Sequence, residues 1–124
     1  ELLPVVEKSL EKIKPMLATK VDEALASANA AYQSRNYKEA IDGAKRAKEF
    51  DPKSEKAAEF IARVRKELNS QLRTLYEDAI LYEGVGQVKE AQSKWRQIMD
   101  RDTVDGEYYL KSKMKLRNYS DQGT

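Results

Sequence analysis

Cysteine and histidine are both missing from this 124-residue chain, and the two absences remove more chemistry than any other feature. Without Cys there is no disulfide, no thiolate nucleophile and no cysteine-based zinc site. Without His there is no Ser-His-Asp triad and no imidazole switch near neutral pH. Glycine (five) and proline (three) are sparse, which favours helix. No apolar run approaches the roughly 18 residues of a spanning helix, and no basic-then-apolar leader opens the chain. The reading is a cytoplasmic chain with no membrane contact. A dominant charge is missing as well: 23 basic groups face 21 acidic ones, leaving +2. So balanced a surface has no strong global field, which disfavours a dedicated nucleic-acid binder.

What is present is the length of one compact domain, with 40% hydrophobic and 35% charged residues. The chain opens on Glu1 rather than Met, so it reads as a piece of a longer protein. Apolar residues recur at three- and four-residue steps and strand-like alternation is lacking, so the fold class is all-α.

Leu3, Val6, Leu10 and Ile13 share a stripe on a helix over about residues 3–13, with Pro4 in its first turn. Pro15 predicts a break or kink. The domain division is then 1–14 as an N-terminal helix or connector, 15–118 as the helical body and 119–124 as a frayed polar tail. A second helix covers about residues 16–34, and Ser34-Arg35-Asn36 forms a polar turn. A third helix spans about 37–50 and stops where Asp51 precedes Pro52. Ser54 caps the next. Asn69-Ser70 looks like a loop, yet Ala57, Ile61, Val64, Leu68, Leu72, Leu75, Ala79 and Tyr82 keep phase across it, predicting one long helix over about 54–83. Gly84 and Gly86 supply a turn, and a helix over about 87–100 turns Val88, Ala91, Trp95, Ile98 and Met99 inward. A last helix over about 105–117 carries Tyr109, Leu110, Met114 and Leu116.

Two segments share a frame. SRNYKEAIDGAKRAKEFDP and GVGQVKEAQSKWRQIMDRDT each give a turn, then Tyr37 or Val88, then Lys-Glu-Ala, then a helix ending at Asp51-Pro52 or Asp102-Thr103. Twelve residues before each Lys-Glu-Ala alanine stands another: Ala28 before Ala40, Ala79 before Ala91. Small residues at paired positions allow two antiparallel helices to approach closely. Ala44 and Ala47 then leave room for neighbouring helices.

This frame resembles the tetratricopeptide repeat (TPR), a 34-residue helix-turn-helix unit. The matching residues are Ala24, Ala28, Tyr32, Tyr37, Ala40, Ala44, Ala47 and Pro52 in the first copy, and Leu75, Ala79, Tyr82, Gly86, Ala91 and Trp95 in the second. The closing GEYYLKSKMKLRNY, after WRQIMDRD, is also similar to the end of helical-repeat regions that follow forkhead-associated domains in bacterial proteins. The resemblance implies a stack of antiparallel helix hairpins with one long shared helix and a C-terminal capping helix. It also implies a non-enzymatic adaptor in a bacterial signalling or assembly protein, with a protein or peptide partner, no small-molecule substrate and no cofactor.

Such proteins hold partner segments on a concave face formed by the first helix of each pair. Here that face would present Asp22, Leu25, Asn29, Tyr32 and Gln33, followed by Lys56, Glu59, Phe60 and Arg63. Phe60 lies off the main stripe of its helix. Beside Leu25 it would form an apolar floor rimmed by Asn29, Lys56 and Arg63, fitted to an extended acidic or C-terminal peptide. The competing reading packs Phe60 under the N-terminal stripe of Leu3, Val6 and Leu10. Leu25 stands where the carboxylate-clamp subclass of the family has Lys.

Other constellations have simpler readings. The carboxylates of Glu7, Glu11, Glu23, Glu39, Glu49, Glu55 and Glu90 sit on polar helix faces. GVG lacks the remainder of a phosphate loop. Lys111, Lys113, Lys115 and Arg117 interleave with Tyr108, Tyr109 and Tyr119, which suits phosphate and base contacts but equally a capping helix with a polar outer face. Tyr76, Glu77, Ile80 and Glu83 form a further accessible face. The alternative function is structural homo-oligomerisation, with apolar stripes pairing between chains as a homodimer.

Overall fold

Strict three- and four-residue apolar periodicity becomes five α-helices, with no strand among the described residues, in a computed structural model that describes the backbone of residues 2–122 and the side chains of residues 15–120. They are α1 (Leu2–Gln33), α2 (Tyr37–Phe50), α3 (Glu55–Gly84), α4 (Val88–Arg101) and α5 (Glu107–Gln122). The fold is all-α, an arrangement of helical hairpins with the expected long third helix. Residues 69 and 70 are helical because Leu68 and Leu72 on either side are buried and hold the phase.

Two expectations are corrected. Of the break or kink expected at Pro15, the break is absent: α1 is one 32-residue helix with Pro15 inside it. A mid-helix proline removes one hydrogen bond, and neighbours on both sides can bridge the gap. The polar tail expected from residue 119 is helix through Gln122. Tyr119 has its ring stacked on Trp95 at 5.8 Å, so the start of the expected tail is anchored, and residues 123 and 124 lie outside the described residues.

The chain forms two compact units, Glu1–Val64 and Arg65–Thr124, whose boundary lies inside α3. In the first unit α1 packs on α2. The link between them closes with Arg35 donating to the Tyr32 carbonyl at 3.0 Å and Asn36 to the Ala31 carbonyl at 2.9 Å. Arg35 takes the left-handed conformation, φ 63°, as the residue after a helix end commonly does. Ala28, Ala40, Ala44 and Ala47 are buried. Gly43 is the residue directly against Ala28: a methyl group there would lie 3.1 Å from the Ala28 Cβ. The alanine stripe thus brings α1 and α2 together almost backbone to backbone.

The second unit repeats this frame 51 residues later. Gly86 donates to the Glu83 carbonyl and Gln87 to the Tyr82 carbonyl, with Gly86 left-handed at φ 83°. The frame is shared but the filling differs. Trp95 and Ile98 take the places of Ala44 and Ala47, and both are fully buried. The hairpin is pinned at its open end by Arg65 of α3, which meets Asp102 just past α4 at 2.6 Å and also donates to the Thr103 hydroxyl. Buried Asp102 further accepts from the backbone N–H groups of Thr103 (2.8 Å) and Tyr109 (3.0 Å), so it caps α5. Gly106 is required beside it, because a Cβ there would collide with the Asp102 carboxylate.

Candidate functional site

The first unit gathers most of the expected groove residues around one depression. Val21, Ala47 and Ala57 form a small apolar cluster with Ala24 and Leu25 packed on it. That cluster leaves Leu25 half-buried at the surface. Leu25 then lines an open cavity of about 460 Å³ with Lys56, Glu59, Phe60 and Arg63. Residues 56, 59, 60 and 63 fall on one face of α3 because they are spaced at three and four.

Aromatic contacts fix the back of the cavity. Tyr32 meets Phe60 edge-on at 6.1 Å and Tyr37 at 5.7 Å. The Arg63 guanidinium lies over both the Tyr32 ring (5.7 Å) and the Phe60 ring (5.5 Å). A cation over ring faces is attracted by their quadrupoles, and the planar guanidinium keeps its N–H donors at its edge. Phe60 is therefore half-buried beneath Arg63, not an open floor with Arg63 at the rim. Asn29 and Gln33 are exposed on α1 and are not among the residues lining the cavity. The alternative burial of Phe60 under Leu3, Val6 and Leu10 involves side chains outside the described residues.

Sequence reasoning missed the continuation of this groove. A second depression of about 410 Å³ is lined by Leu17, Ala18, Val21, Asp22, Phe50, Asp51, Ser54 and Lys56. Lys56 belongs to both cavities, so they adjoin. Asp22, expected beside Leu25, opens onto this second part. Phe50 is 37% exposed, with Lys20 over its ring at 5.5 Å. A large apolar residue ending a helix just before Asp-Pro was the available signal.

In the second unit the basic closing segment is largely occupied by the chain itself. Lys111 bonds to Glu107 at 2.9 Å and lies over the Tyr76 and Tyr108 rings. Lys115 bonds to Glu83 at 2.8 Å and lies over Trp95. Tyr119 donates to the other Glu83 oxygen at 2.6 Å. These contacts hold the Glu83 carboxyl below its ordinary range, through the Lys115 bond first and the Tyr119 bond second, against a smaller opposing effect of burial. The Tyr119 hydroxyl is pushed up, chiefly because it donates to that carboxylate. Leu110 and Met114, two of the apolar residues carried by this helix, are 49% and 65% exposed. The anchors at Lys115 and Tyr119 turn the other face of α5 inward and bury Ser112.

Among the described residues no cluster of acidic side chains is arranged to hold a metal ion, and no helix is long and apolar enough to cross a membrane. No protein-family model matches the chain, nor does any curated protein or solved structure.

Proposed function

We propose that this chain is a non-enzymatic interaction module of the tetratricopeptide type, whose first unit holds a partner peptide along the groove of α1 and α3. The observation that carries this reading is the cavity bounded by Leu25, Lys56, Glu59, Phe60 and Arg63, with Arg63 held over two rings. An apolar side chain of the peptide packs against Leu25 and the edge of Phe60. Its carboxylates, side-chain or C-terminal, meet Lys56 and Arg63, whose two positive charges outweigh Glu59. Exposed Asn29 and Gln33 offer amides to the peptide backbone as it leaves the cavity. The backbone-level repetition of the turn 51 residues apart supports the repeat reading. The similarity of the closing segment to bacterial forkhead-associated proteins supports a cytoplasmic signalling or assembly setting.

A random-peptide display selection against the intact chain tests the groove. Enriched sequences are expected to combine an apolar residue with Asp, Glu or a free C-terminus. Phe60→Ala is expected to weaken the best peptide about tenfold, roughly 1.4 kcal/mol, and the Phe60/Asn29 double alanine variant further, each without loss of the helical fold. A large fall in Tm with unchanged peptide affinity would overturn the proposal.

A second reading, self-association, is favoured by Met16, 61% exposed, and neighbouring Leu17 on α1. A concentration-independent monomer by sedimentation equilibrium favours the adaptor, and a stable dimer favours assembly.

A further inference from the structure

The 51-residue frame maps the first unit's groove onto a corresponding surface of the second. Leu25 becomes Tyr76, Glu59 becomes Leu110, Phe60 becomes Lys111 and Arg63 becomes Met114. The chemistry changes with the residues. Tyr76, Tyr108 and Lys111 close on one another, so the cavity's counterpart is filled by the chain's own side chains. What remains outward is a ridge on α5: Leu110, Lys113, Met114 and Arg117, at i, i+3, i+4 and i+7 of a single stripe.

Two features of this ridge point to its occupant. Leu110 and Met114, one turn apart, are 49% and 65% exposed. Lys113 and Arg117, which flank them, are exposed and carry no carboxylate partner among the described residues. The cations on the other side of the same helix, Lys111 and Lys115, are each paired, with Glu107 and Glu83. The helix therefore pairs Lys111 and Lys115 within its own chain, and among the described residues it leaves Lys113 and Arg117 without a carboxylate beside exposed apolar side chains.

We infer that this face docks an amphipathic helix of a partner protein whose apolar stripe is flanked by Asp or Glu. A straight ridge of i and i+4 side chains, about 10 Å from Leu110 to Arg117 at 1.5 Å per residue, fits the groove between the ridges of another helix. Met114 adapts its unbranched side chain to an irregular surface, and Lys113 and Arg117 fix the orientation through charge. A nucleic-acid backbone gains nothing from an apolar pair at the centre of the face. An interfacial membrane helix needs a broad apolar face, and this stripe has two apolar residues. The inference holds whether or not the groove of the first unit binds a peptide.

The test uses the full chain and two synthetic helical peptides of equal apolar stripe, one flanked by Glu and one by Lys, with binding read by fluorescence anisotropy. The Glu peptide is expected to bind at least about tenfold tighter. Leu110→Gln/Met114→Gln should abolish its binding with Tm unchanged, because both side chains are exposed. Lys113→Glu/Arg117→Glu should reverse the preference toward the Lys peptide, and every comparison is made in a chain carrying Lys56→Glu/Arg63→Glu, so that the groove of the first unit does not contribute to the binding of the Glu peptide. Equal binding of both peptides, or binding insensitive to the Leu110/Met114 pair, overturns the inference. So does dependence on Lys113 and Arg117 of binding to vesicles of mixed neutral and anionic phospholipid or to single-stranded DNA, or a dimer that the Met114 change dissolves.

Discussion

The two hairpins share a backbone frame and differ in what fills it. Around α2 the contact is built from Ala40, Gly43, Ala44 and Ala47, and α1 lies close enough that Gly43 touches Ala28. Around α4 the contact is built on Trp95 and Ile98, and polar clasps at Asp102 and Glu83 hold the flanking helices. Small side chains give close approach and leave an adjoining surface groove at Leu25 and Phe60. Large ones give a filled interior. One connection geometry therefore serves a hairpin packed on small side chains and a hairpin packed on large ones.

The contrast breaks most severely at Trp95. Trp95→Ala should cost about 3–5 kcal/mol in urea unfolding, whereas Trp95→Phe should cost below about 1.5 kcal/mol, since the buried indole N–H has no hydrogen-bond partner to lose. A large loss for the phenylalanine variant would mean that the ring's polar edge matters after all. The reverse change, Ala40→Leu, should cost about 1–3 kcal/mol through overpacking. A neutral result would mean that the alanines are ordinary helix formers and do not set the spacing.

The turns sharpen the comparison at smaller scale. Gly86→Ala forces a Cβ into a left-handed position and should cost about 1–2 kcal/mol. Arg35→Gly relieves that strain at the equivalent site, and after the glycine entropy cost should gain up to about 1 kcal/mol. Chemical denaturation of the two variants measures both signs.

The smallest effect is in pH. Glu83 is lowered from 4.5, so its stabilisation is present above that value and is lost as pH falls through the lower folded one. Tyr119 is raised from 10.0, so its share is present below that value and is lost as pH rises through the higher folded one. Tyr119→Phe should flatten the alkaline fall in Tm and reduce the acid fall. An unchanged alkaline limb would place the sensitivity elsewhere.

Much of the fold was legible because one-dimensional periodicity determines which face of a helix is buried. The phase kept from Ala57 to Ala79 outweighed the loop-like Asn69-Ser70, and paired alanines marked the close hairpin. Pro15 did not bring the expected break because a single lost hydrogen bond is a local penalty within a long helix. Asp102 and Arg65 were silent because their pairing joins residues 37 positions apart, and no local pattern encodes that. The outward placement of Leu110 and Met114 was equally silent, because the long-range anchors of Lys115 and Tyr119 set the rotation of α5. At the groove, residue type located Leu25, Lys56, Phe60 and Arg63 together. The seating of Arg63 over Tyr32 and Phe60 needed three-dimensional distances.

Hydrogen–deuterium exchange of the intact chain, with and without a peptide selected by display, tests the assignment of the two units most directly. Slower exchange at residues 22–33 and 56–63, with residues 65–122 unchanged, is the outcome expected if the alanine-lined unit receives the partner. Protection confined to α4 and α5, or no protection near Phe60, would contradict it.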